Sequence, residues 1–336
     1  MRMRRLALAG AIAGALLVSA PAAVATAGTP TNARSANALT VAVIGDTPYG
    51  PAQLQAFPAL VGAINADPKV RLALHLGDIK TGSSPCSDEY FDAIRAQFDS
   101  FKDPLVYTPG DNEWTDCHRP AAGGYLPTER LARVRQVFFP QPGAALGGRP
   151  KRLQTEAGVP GFEDFVENTL TMASRTVLAA VHVVGSNNGL ASWFGALETE
   201  AQRTERLAEY ESRLAADLAW IDHAFAVAHD HGALGVVLAM QADMWDGSPL
   251  DGFNAIVQRI ADRAAAFDGP VLLLEGDSHR YKVDAPLATG SPTHGVTTVA
   301  PNVTRVVVEG ETASEWLRLT IDPRGDSVFT WTREPV

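Results

Sequence analysis

Acidic side chains follow glycine at four places near the end of an apolar run. The pairs are Gly45-Asp46, Gly77-Asp78, Gly110-Asp111 and Gly276-Asp277. Glycine permits a sharp turn and a close approach of the backbone to a ligand. Carboxylates held within a few Å repel one another, and their pKa values rise unless a cation lies between them. The pattern therefore predicts a site for a divalent metal ion, and the alternative is that the pairs only mark turns or helix caps.

Apolar strands that alternate with helices would position these acids. The predicted strands are 39–45, 70–77, 105–109, 177–185, 234–240 and 271–275, and the predicted helices are 53–66, 87–99, 129–139, 198–231 and 253–267. The alternation favours a mostly parallel sheet with helical crossovers. Because ligands bind beyond the carboxyl ends of such strands, we expect the four acids and His279 to converge on one edge of the sheet.

The remaining segments predict less regular structure. Residues 140–168 are rich in Gly and Pro, which is typical of an irregular surface loop. Residues 304–309, 315–321 and 327–332 alternate in polarity and predict half-buried strands of a second or extended mixed sheet. No internal repeat or linker divides the sequence, so residues 38–336 are predicted to form a single domain.

The N-terminal segment has the composition of a targeting signal. Arginines within residues 1–5 precede an apolar run over 6–18, and Ala25-Thr26-Ala27 has the small-x-small pattern of a signal-peptidase site. The run is too short for a comfortable membrane span, which disfavours an uncleaved anchor. We predict a signal peptide over 1–27, loosely similar to a bacterial twin-arginine signal, and a flexible leader over 28–37. The protein is therefore expected to be secreted or extracytoplasmic, without a stable membrane anchor.

Composition and charge exclude several classes of protein. The 336 residues are 46% apolar and 20% charged, which excludes a disordered or low-complexity chain. The net charge is −10, and removal of residues 1–27 takes away three arginines and gives −13. A protein this acidic lacks the clustered cations that tracking along nucleic acid requires. The sequence carries no indication of an oligomeric state.

Two cysteines, Cys86 and Cys117, lie 31 residues apart. The oxidising environment of a secreted protein favours a disulfide between them over two independent thiols. Such a bond is worth roughly 3–4 kcal/mol in the chain-entropy model. It would also tie the loop that follows Asp78 to the loop that follows Asp111.

The order of these motifs resembles the calcineurin-like metallophosphoesterase superfamily. That family's pattern is Asp-x-His, Gly-Asp, Gly-Asn-His-(Asp/Glu), a later strand-end His, and Gly-His-x-His. The corresponding stretches of this chain, within about residues 40–310, are Asp46-Thr47-Pro48, Gly77-Asp78, Gly110-Asp111-Asn112-Glu113, Gln241 and Gly276-Asp277-Ser278-His279. The resemblance implies an α/β fold, a four-layer α/β/β/α sandwich of two mixed sheets, with a centre for one or two divalent metal ions.

Position by position, the resemblance also implies the metal ligands. The positions of the first ion's ligands hold Asp46, Asp78 and His279, with Pro48, which cannot ligate, in place of a histidine. The positions of the second ion's ligands hold Asp78, Asp111, Gln241 and Asp277. Because oxygen atoms make up almost all of this set, we expect Mn²⁺, Ca²⁺ or Mg²⁺ to be favoured over Zn²⁺.

The family histidine that assists the leaving group is replaced by Asn112. An amide can donate a hydrogen bond to a phosphoryl oxygen but cannot deliver a proton at neutral pH. Asn112 and Glu113 are the predicted catalytic residues, and other candidate acids or bases in the same loops are Asp243, His118 and Tyr49.

Three further side chains are predicted to bind substrate. These are His118, Arg119 and Arg280. An arginine can contact a phosphate through two parallel hydrogen bonds, although either arginine could equally pair with a local carboxylate.

Two functions remain open on this sequence. The first is a secreted metal-dependent phosphoesterase that hydrolyses a small-molecule or extracellular phosphomonoester or phosphodiester through metal-bound hydroxide. The alternative is a catalytically weak or inactive relative that serves as a metal-stiffened extracellular binding module. The retained acidic ligands favour the enzyme, and the loss of three family histidines favours the module.

Overall fold

The apolar run Leu39–Ile44 forms β1, the middle strand of a five-stranded sheet. The computed structural model describes residues 38–311 and 313–336. The predicted signal peptide (1–27) and leader (28–37) lie outside the described residues. Strands β2 (Val70–His75) and β3 (Leu105–Tyr107) continue the first sheet in parallel from β1. On its other side lie antiparallel β11 (Glu315–Ile321) and β12 (Phe329–Pro335).

The second sheet has seven strands. They are β4 (Gln154–Thr155), β5 (Thr169–Ala173), β6 (Thr176–Ala180), β7 (Gly235–Ala239), β8 (Val271–Glu275), β9 (Lys282–Asp284) and β10 (Val303–Val307). Their order across the sheet is β4-β5-β6-β7-β8-β10-β9. Strands β6, β7, β8 and β10 are parallel, and the outer strands at both edges are antiparallel. Both sheets are therefore mixed.

Helices cover the outer faces of both sheets. They are α1 (Gly50–Ala66), α2 (Asp88–Asp99), α3 (Pro127–Phe138), α5 (Glu200–Asp230) and α6 (Asn254–Ala265), with a one-turn element α4 (Gly185–Asn188) between β6 and α5. Two of them begin at caps that the sequence supplies. The hydroxyl of Ser87 accepts from the backbone at the start of α2, and Thr199 and Gln202 form a capping box at the start of α5.

The core has three apolar layers that follow from strand alternation. In β1, Val41 and Val43 pack between the two sheets, whereas Ala42 and Ile44 face the layer that contains α1 and α2. The outer face of the second sheet packs against α5 and α6 through side chains such as Trp220. Strands buried on both faces need an uninterrupted apolar sequence, which explains the runs at β1 and β8. The result is the predicted four-layer α/β/β/α sandwich.

The structure shows which sheet each C-terminal strand joins, which the alternation of polar and apolar residues alone does not predict. Strand β10 extends the second sheet beside β8, while β11 and β12 return to the first sheet. Strands β5 and β9 have no counterpart among the predicted strands, and β4 lies in the segment predicted to be irregular. Each is an edge or hairpin strand of two to five residues, too short to give a clear period.

The described residues, 38–311 and 313–336, belong to one compact unit. Within the described part of the chain, we find no helix with the length and apolar character needed to span a bilayer.

Candidate metal centre

The predicted acids lie beyond the carboxyl ends of strands in both sheets. Asp46 follows β1, Asp78 follows β2, Asp111 follows β3, and Asp277 and His279 follow β8. Because the two sheets face each other, these loops meet at one end of the sandwich. The convergence expected from the sequence is thus present in the structure.

Two overlapping groups of side chains have the spacing of metal ligands. One ligand atom each from Asp46, Asp78 and His279 lies within 4.8 Å of the others, and the same holds for Asp78, Asp111 and Asp277. We call these the first triad and the second triad. Asp78 belongs to both, so a pair of cations held here would share its carboxylate.

The backbone of these residues is strained in a way that is common at functional sites. Asp46, Asp78, Asp277 and His279 have φ values of 51°, 57°, 68° and 57°. This left-handed region costs a residue other than glycine roughly 1–3 kcal/mol and persists only where the surroundings enforce it. At Asp46 the enforcing contact is a backbone hydrogen bond to Gly77, 3.0 Å long, at the end of the neighbouring strand.

Burial and mutual repulsion perturb the titration of the triads. Burial, followed by the charge of Asp111, raises the pKa values of Asp78 and Asp277 well above the usual range. Burial also raises the pKa of Asp46, and hydrogen bonding to His279 opposes that rise. Carboxylates with raised pKa values bind protons unless a metal cation takes the place of those protons. The donor set therefore fits one or two divalent cations.

His279 is held between two carboxylates. Its Nε2 lies 3.4 Å from Oδ1 of Asp46, and its Nδ1 lies 3.4 Å from Oε2 of Glu311. Burial lowers the pKa of His279, but the hydrogen bonds and charges of these two acids outweigh that effect and leave the pKa raised. Glu311 thus orients the ring, as outer carboxylates commonly do for ligating histidines.

Tyr49 and Asn112 form a hydrogen-bonded cluster on the shared carboxylate. The Tyr49 hydroxyl and the Asn112 side-chain amide each donate to Oδ2 of Asp78 at 2.6 Å. The same amide donates to the Tyr49 hydroxyl at 2.6 Å, and the Asn112 backbone N–H donates to Oδ1 of Asp78 at 3.2 Å. Nε2 of His279 lies 3.2 Å from the Tyr49 hydroxyl oxygen. Of the candidate acids in the loops, Tyr49 is therefore the one that hydrogen-bonds to a ligand side chain of the first triad.

The structure orients Gln241 differently from the ligand role implied by the resemblance. Its Oε1 accepts a 2.6 Å hydrogen bond from the backbone N–H of Gly185, while its Nε2 lies 3.5 Å from Oδ1 of Asp111. Because a backbone N–H can only donate, the oxygen must face Gly185 and the NH₂ group must face the carboxylates. The amide thus presents hydrogen-bond donors to the second triad, where a ligand would present a lone pair.

Glu113 lies behind the triads and is fully buried. Its Oε1 accepts hydrogen bonds from the backbone N–H groups of Asp78 at 3.1 Å and Gly110 at 2.7 Å, and from the Tyr107 hydroxyl at 2.7 Å. This side chain fixes the two ligand-bearing loops to each other. Its geometry is that of a positioning residue, with no face open to a substrate.

Lys80, which the sequence analysis did not single out, lies beneath the same loops. It is fully buried, and its Nζ donates to the backbone carbonyls of Thr81 at 2.8 Å and Asn112 at 2.7 Å. Burial lowers its pKa to about 8, although nearby carboxylates, first Glu113, oppose the shift. The only signal in the sequence that could have indicated Lys80 is its position two residues after Asp78.

Asp116 and Ser186, which sequence reasoning also missed, connect Arg119 to the second triad. Arg119 pairs with Asp116 at 2.6 Å, and the Ser186 hydroxyl donates to Asp116 at 3.3 Å and to Oδ2 of Asp111 at 2.7 Å. Burial and the charge of Asp111 raise the pKa of Asp116 to about 8. Ser186 follows no motif, and it reaches the site because the backbone of Ser186–Asn188 has left-handed φ values.

The other predicted site residues lie farther out or have other partners. His118 is half-buried, with its Nδ1 2.5 Å from the carbonyl oxygen of Thr115 and its ring against Phe194. Arg280 is exposed beside His279. Asp243 is buried, and its carboxylate pairs with Arg305 at 2.5 Å. This ion pair gives Asp243 a structural role.

The predicted disulfide between Cys86 and Cys117 is confirmed, with the two Cα atoms 5.8 Å apart. Both sulfur atoms lie close to the backbone carbonyl oxygen of Asn112, at 3.6 and 3.7 Å. The bond therefore joins the loop after β2 to the loop after β3 directly beneath Asn112.

Comparisons with known proteins agree with this fold. The family model of the calcineurin-like phosphoesterases matches residues 39–232. A dimetal phosphatase from Danio rerio is 11% identical, with a TM-score of 0.53, and the alignment covers 88% of this chain and 98% of that one. At this low sequence identity, the similarity shows only that the two proteins share a fold. A search of curated protein sequences finds no match.

Two further solved structures align over 89% of this chain. They are the purple acid phosphatase PPD1 of yellow lupin (Lupinus luteus), 10% identical with a TM-score of 0.45 over 52% of its chain, and the Plasmodium inner membrane complex anchor GAP50, 9% identical with a TM-score of 0.43 over 89% of its chain.

Proposed function

The chain belongs to the calcineurin-like phosphoesterase family, and on that basis we propose that it is a metal-dependent hydrolase of phosphomonoesters or phosphodiesters. The observation that carries the proposal is the pair of overlapping triads that share Asp78. Most of this set is buried carboxylate with raised pKa, an arrangement that is costly without a cation and matches the two-ion centres of phosphoryl-transfer enzymes.

We assign the two triads different preferences for metal ions. Asp46, Asp78 and His279 offer a mixed nitrogen and oxygen set, whereas Asp78, Asp111 and Asp277 offer oxygen atoms alone. The second triad therefore favours Mn²⁺, Ca²⁺ or Mg²⁺ over Zn²⁺. When bound, such ions supply the Lewis acidity that activates water and neutralises phosphate charge.

The chain's own residues would position the substrate and the ligands. The Asn112 amide and the Tyr49 hydroxyl are the donors nearest the shared carboxylate, and they would turn towards a phosphoryl oxygen placed there. Arg119 is a half-exposed cation at the edge of the metal centre, and it connects to the second triad through Asp116 and Ser186. Glu113 and the disulfide hold the loops that carry these groups, which keeps the geometry fixed.

We also propose that the protein is secreted or extracytoplasmic, as the N-terminal composition predicts. The disulfide supports this location because such bonds persist mainly in oxidising compartments.

Metal-dependent melting tests the proposal before any substrate is known. After exhaustive chelation, Mn²⁺, Ca²⁺, Mg²⁺ and Zn²⁺ are titrated into the wild-type protein, into Asp78→Asn and into Asp268→Asn. Asp268 is exposed, in the turn before β8, at the opposite end of that strand from Asp277. We expect a rise of several degrees with Mn²⁺ or Ca²⁺ in the wild type and in Asp268→Asn, and none in Asp78→Asn.

Phosphoesterase assays with the stabilising ion then separate the two candidate functions. Turnover that disappears in Asp78→Asn and persists in Asp268→Asn supports the hydrolase. Stabilisation by metal without hydrolysis would favour the alternative, a metal-stiffened binding module, and undiminished turnover in Asp78→Asn would defeat the assignment.

A further inference from the structure

A cavity of about 310 Å³ opens beside the second triad. Its wall includes Ser186, the triad member Asp277, and the segment from Asp246 to Leu250 with Phe253. A volume near 300 Å³ is at the small end for ligand pockets. The cavity therefore fits a compact organic group.

Two contacts connect this cavity to the place where a phosphate would bind. Asp277 is a member of the second triad and also lines the cavity. Ser186 lines the cavity as well, and its hydroxyl donates to Oδ2 of Asp111 at 2.7 Å. A phosphoester bound at the triads would thus project its organic portion into this space.

The wall of the cavity combines apolar surface with negative charge. Pro249, Leu250 and Phe253 supply the apolar part, and Asp246 adds a solvent-exposed carboxylate. Among the described residues that line the cavity, none is Lys, Arg or His. An anionic group would meet repulsion from Asp246 with no cationic side chain in the wall to offset it, and a cationic group would meet attraction.

We propose that this cavity binds the alcohol portion of the substrate, and that Asp246 selects esters of small cationic alcohols, such as amino alcohols, over esters of anionic ones. This inference rests on the proposed phosphoesterase function. Phe253, with Leu250 and Pro249, would contact the carbon skeleton, while Asp246 faces the ammonium group. Asp246 is not a member of either triad, so its replacement leaves the metal ligands intact.

Three probes of similar size and different charge test the selectivity. They are phosphocholine, dimethylbutyl phosphate, in which carbon replaces the ammonium nitrogen, and the phosphate ester of hydroxybutyrate, which carries a carboxylate. Values of kcat/KM and the rise in melting temperature are measured for each probe with the Mn²⁺-loaded protein. The proteins compared are the wild type, Asp246→Asn, Asp246→Lys and Asp268→Asn, the last a matched loss of charge far from the cavity.

We expect the wild type and Asp268→Asn to prefer phosphocholine over the anionic ester by roughly tenfold or more, with the neutral ester between them. Asp246→Asn should reduce that ratio several-fold, and Asp246→Lys should reverse it. Equal hydrolysis of the three probes, or ratios that Asp246→Lys leaves unchanged, would overturn this inference while the proposed function stands. Hydrolysis of none of them by a Mn²⁺-stabilised protein that turns over another phosphoester would overturn the inference alone, whereas a protein that hydrolyses no phosphomonoester or phosphodiester would overturn the hydrolase as well.

Discussion

The hydroxyl of Tyr49 donates a 2.6 Å hydrogen bond to Oδ2 of Asp78, the carboxylate common to both triads. Tyr49 lies three residues after Asp46, so one loop supplies a member of the first triad and a donor to the shared member. The tyrosine ring also packs edge-on against His279, with the ring centres 4.8 Å apart. A single aromatic side chain thus contacts two of the three residues of the first triad.

Replacement of Tyr49 by Phe should lower turnover more than it lowers metal affinity. The ring and its packing on His279 remain, but Asn112 loses one of the partners that orient its amide. We expect kcat to fall roughly 10- to 100-fold, and the loss of Mn²⁺ affinity to be smaller than that because every member of both triads is retained. Kinetics and calorimetry measure the two effects, and Tyr281→Phe is the control because its hydroxyl contacts Trp331. Full activity in Tyr49→Phe would show that the hydroxyl only packs.

Stabilisation by divalent cations should grow as the pH rises. The pKa values of Asp78 and Asp277 are raised by burial and then by Asp111, and that of Asp116 is raised to about 8. A raised pKa gives stability that is complete below the unfolded pKa, near 4, and is lost as the pH rises through the folded value. The metal-free protein should therefore lose stability towards about pH 8, and a cation should restore it.

The measurement for this prediction is a series of melting curves between about pH 5 and pH 8, with chelator and with Mn²⁺. The gap between the two melting temperatures should widen with pH, because protons compete with the cation for the same carboxylates. A gap that stays constant, or narrows, would contradict the assignment of the triads as the cation site.

Replacement of Gln241 by Glu should weaken the metal-free protein and strengthen cation binding. One carboxylate oxygen would still accept from Gly185, and the other would replace the amide nitrogen that faces Asp111. We expect the metal-free melting temperature to fall by several degrees through like-charge repulsion, and the affinity for Ca²⁺ or Mn²⁺ to rise roughly tenfold. Differential scanning fluorimetry and calorimetry test both effects. The control is Gln136→Glu on the exposed face of α3, which should change neither quantity.

Loss of the disulfide should affect both stability and the metal centre. Replacing Cys86 and Cys117 together by Ala should lower the free energy of unfolding by about 3–4 kcal/mol, from the 31-residue loop that the bond closes. Metal affinity should fall as well, because the bond lies under Asn112 and joins the loops of Asp78 and Asp111. Chemical denaturation measures the first effect, and reductant should destabilise the wild type but not the double variant. Unchanged metal affinity would limit the bond to a structural role.

The sequence by itself determined the central strands and the positions of the acids beyond their ends. Val271–Glu275 and Glu315–Ile321 form strands with the predicted bounds, and Asp46, Asp78 and Asp277 follow strands as predicted. These features depend on local periodicity and on the Gly-Asp pairs, which one chain segment can specify alone. The disulfide was predictable in the same way, since only two cysteines exist to pair.

Tertiary structure decided where the polar side chains point and which sheet receives each late strand. Glu113 turns inwards because the backbone N–H groups of Asp78 and Gly110 need a hydrogen-bond acceptor. Gln241 turns its oxygen to the backbone N–H of Gly185 for the same reason, and its nitrogen therefore faces Asp111. Ser186 reaches Asp111 only through a left-handed turn that no motif marks. Such orientations depend on partners far away in sequence, because a buried donor or acceptor takes whichever partner the fold brings near. Local patterns therefore placed the candidate ligands on the strand ends, and long-range hydrogen bonding decided which of them face one another.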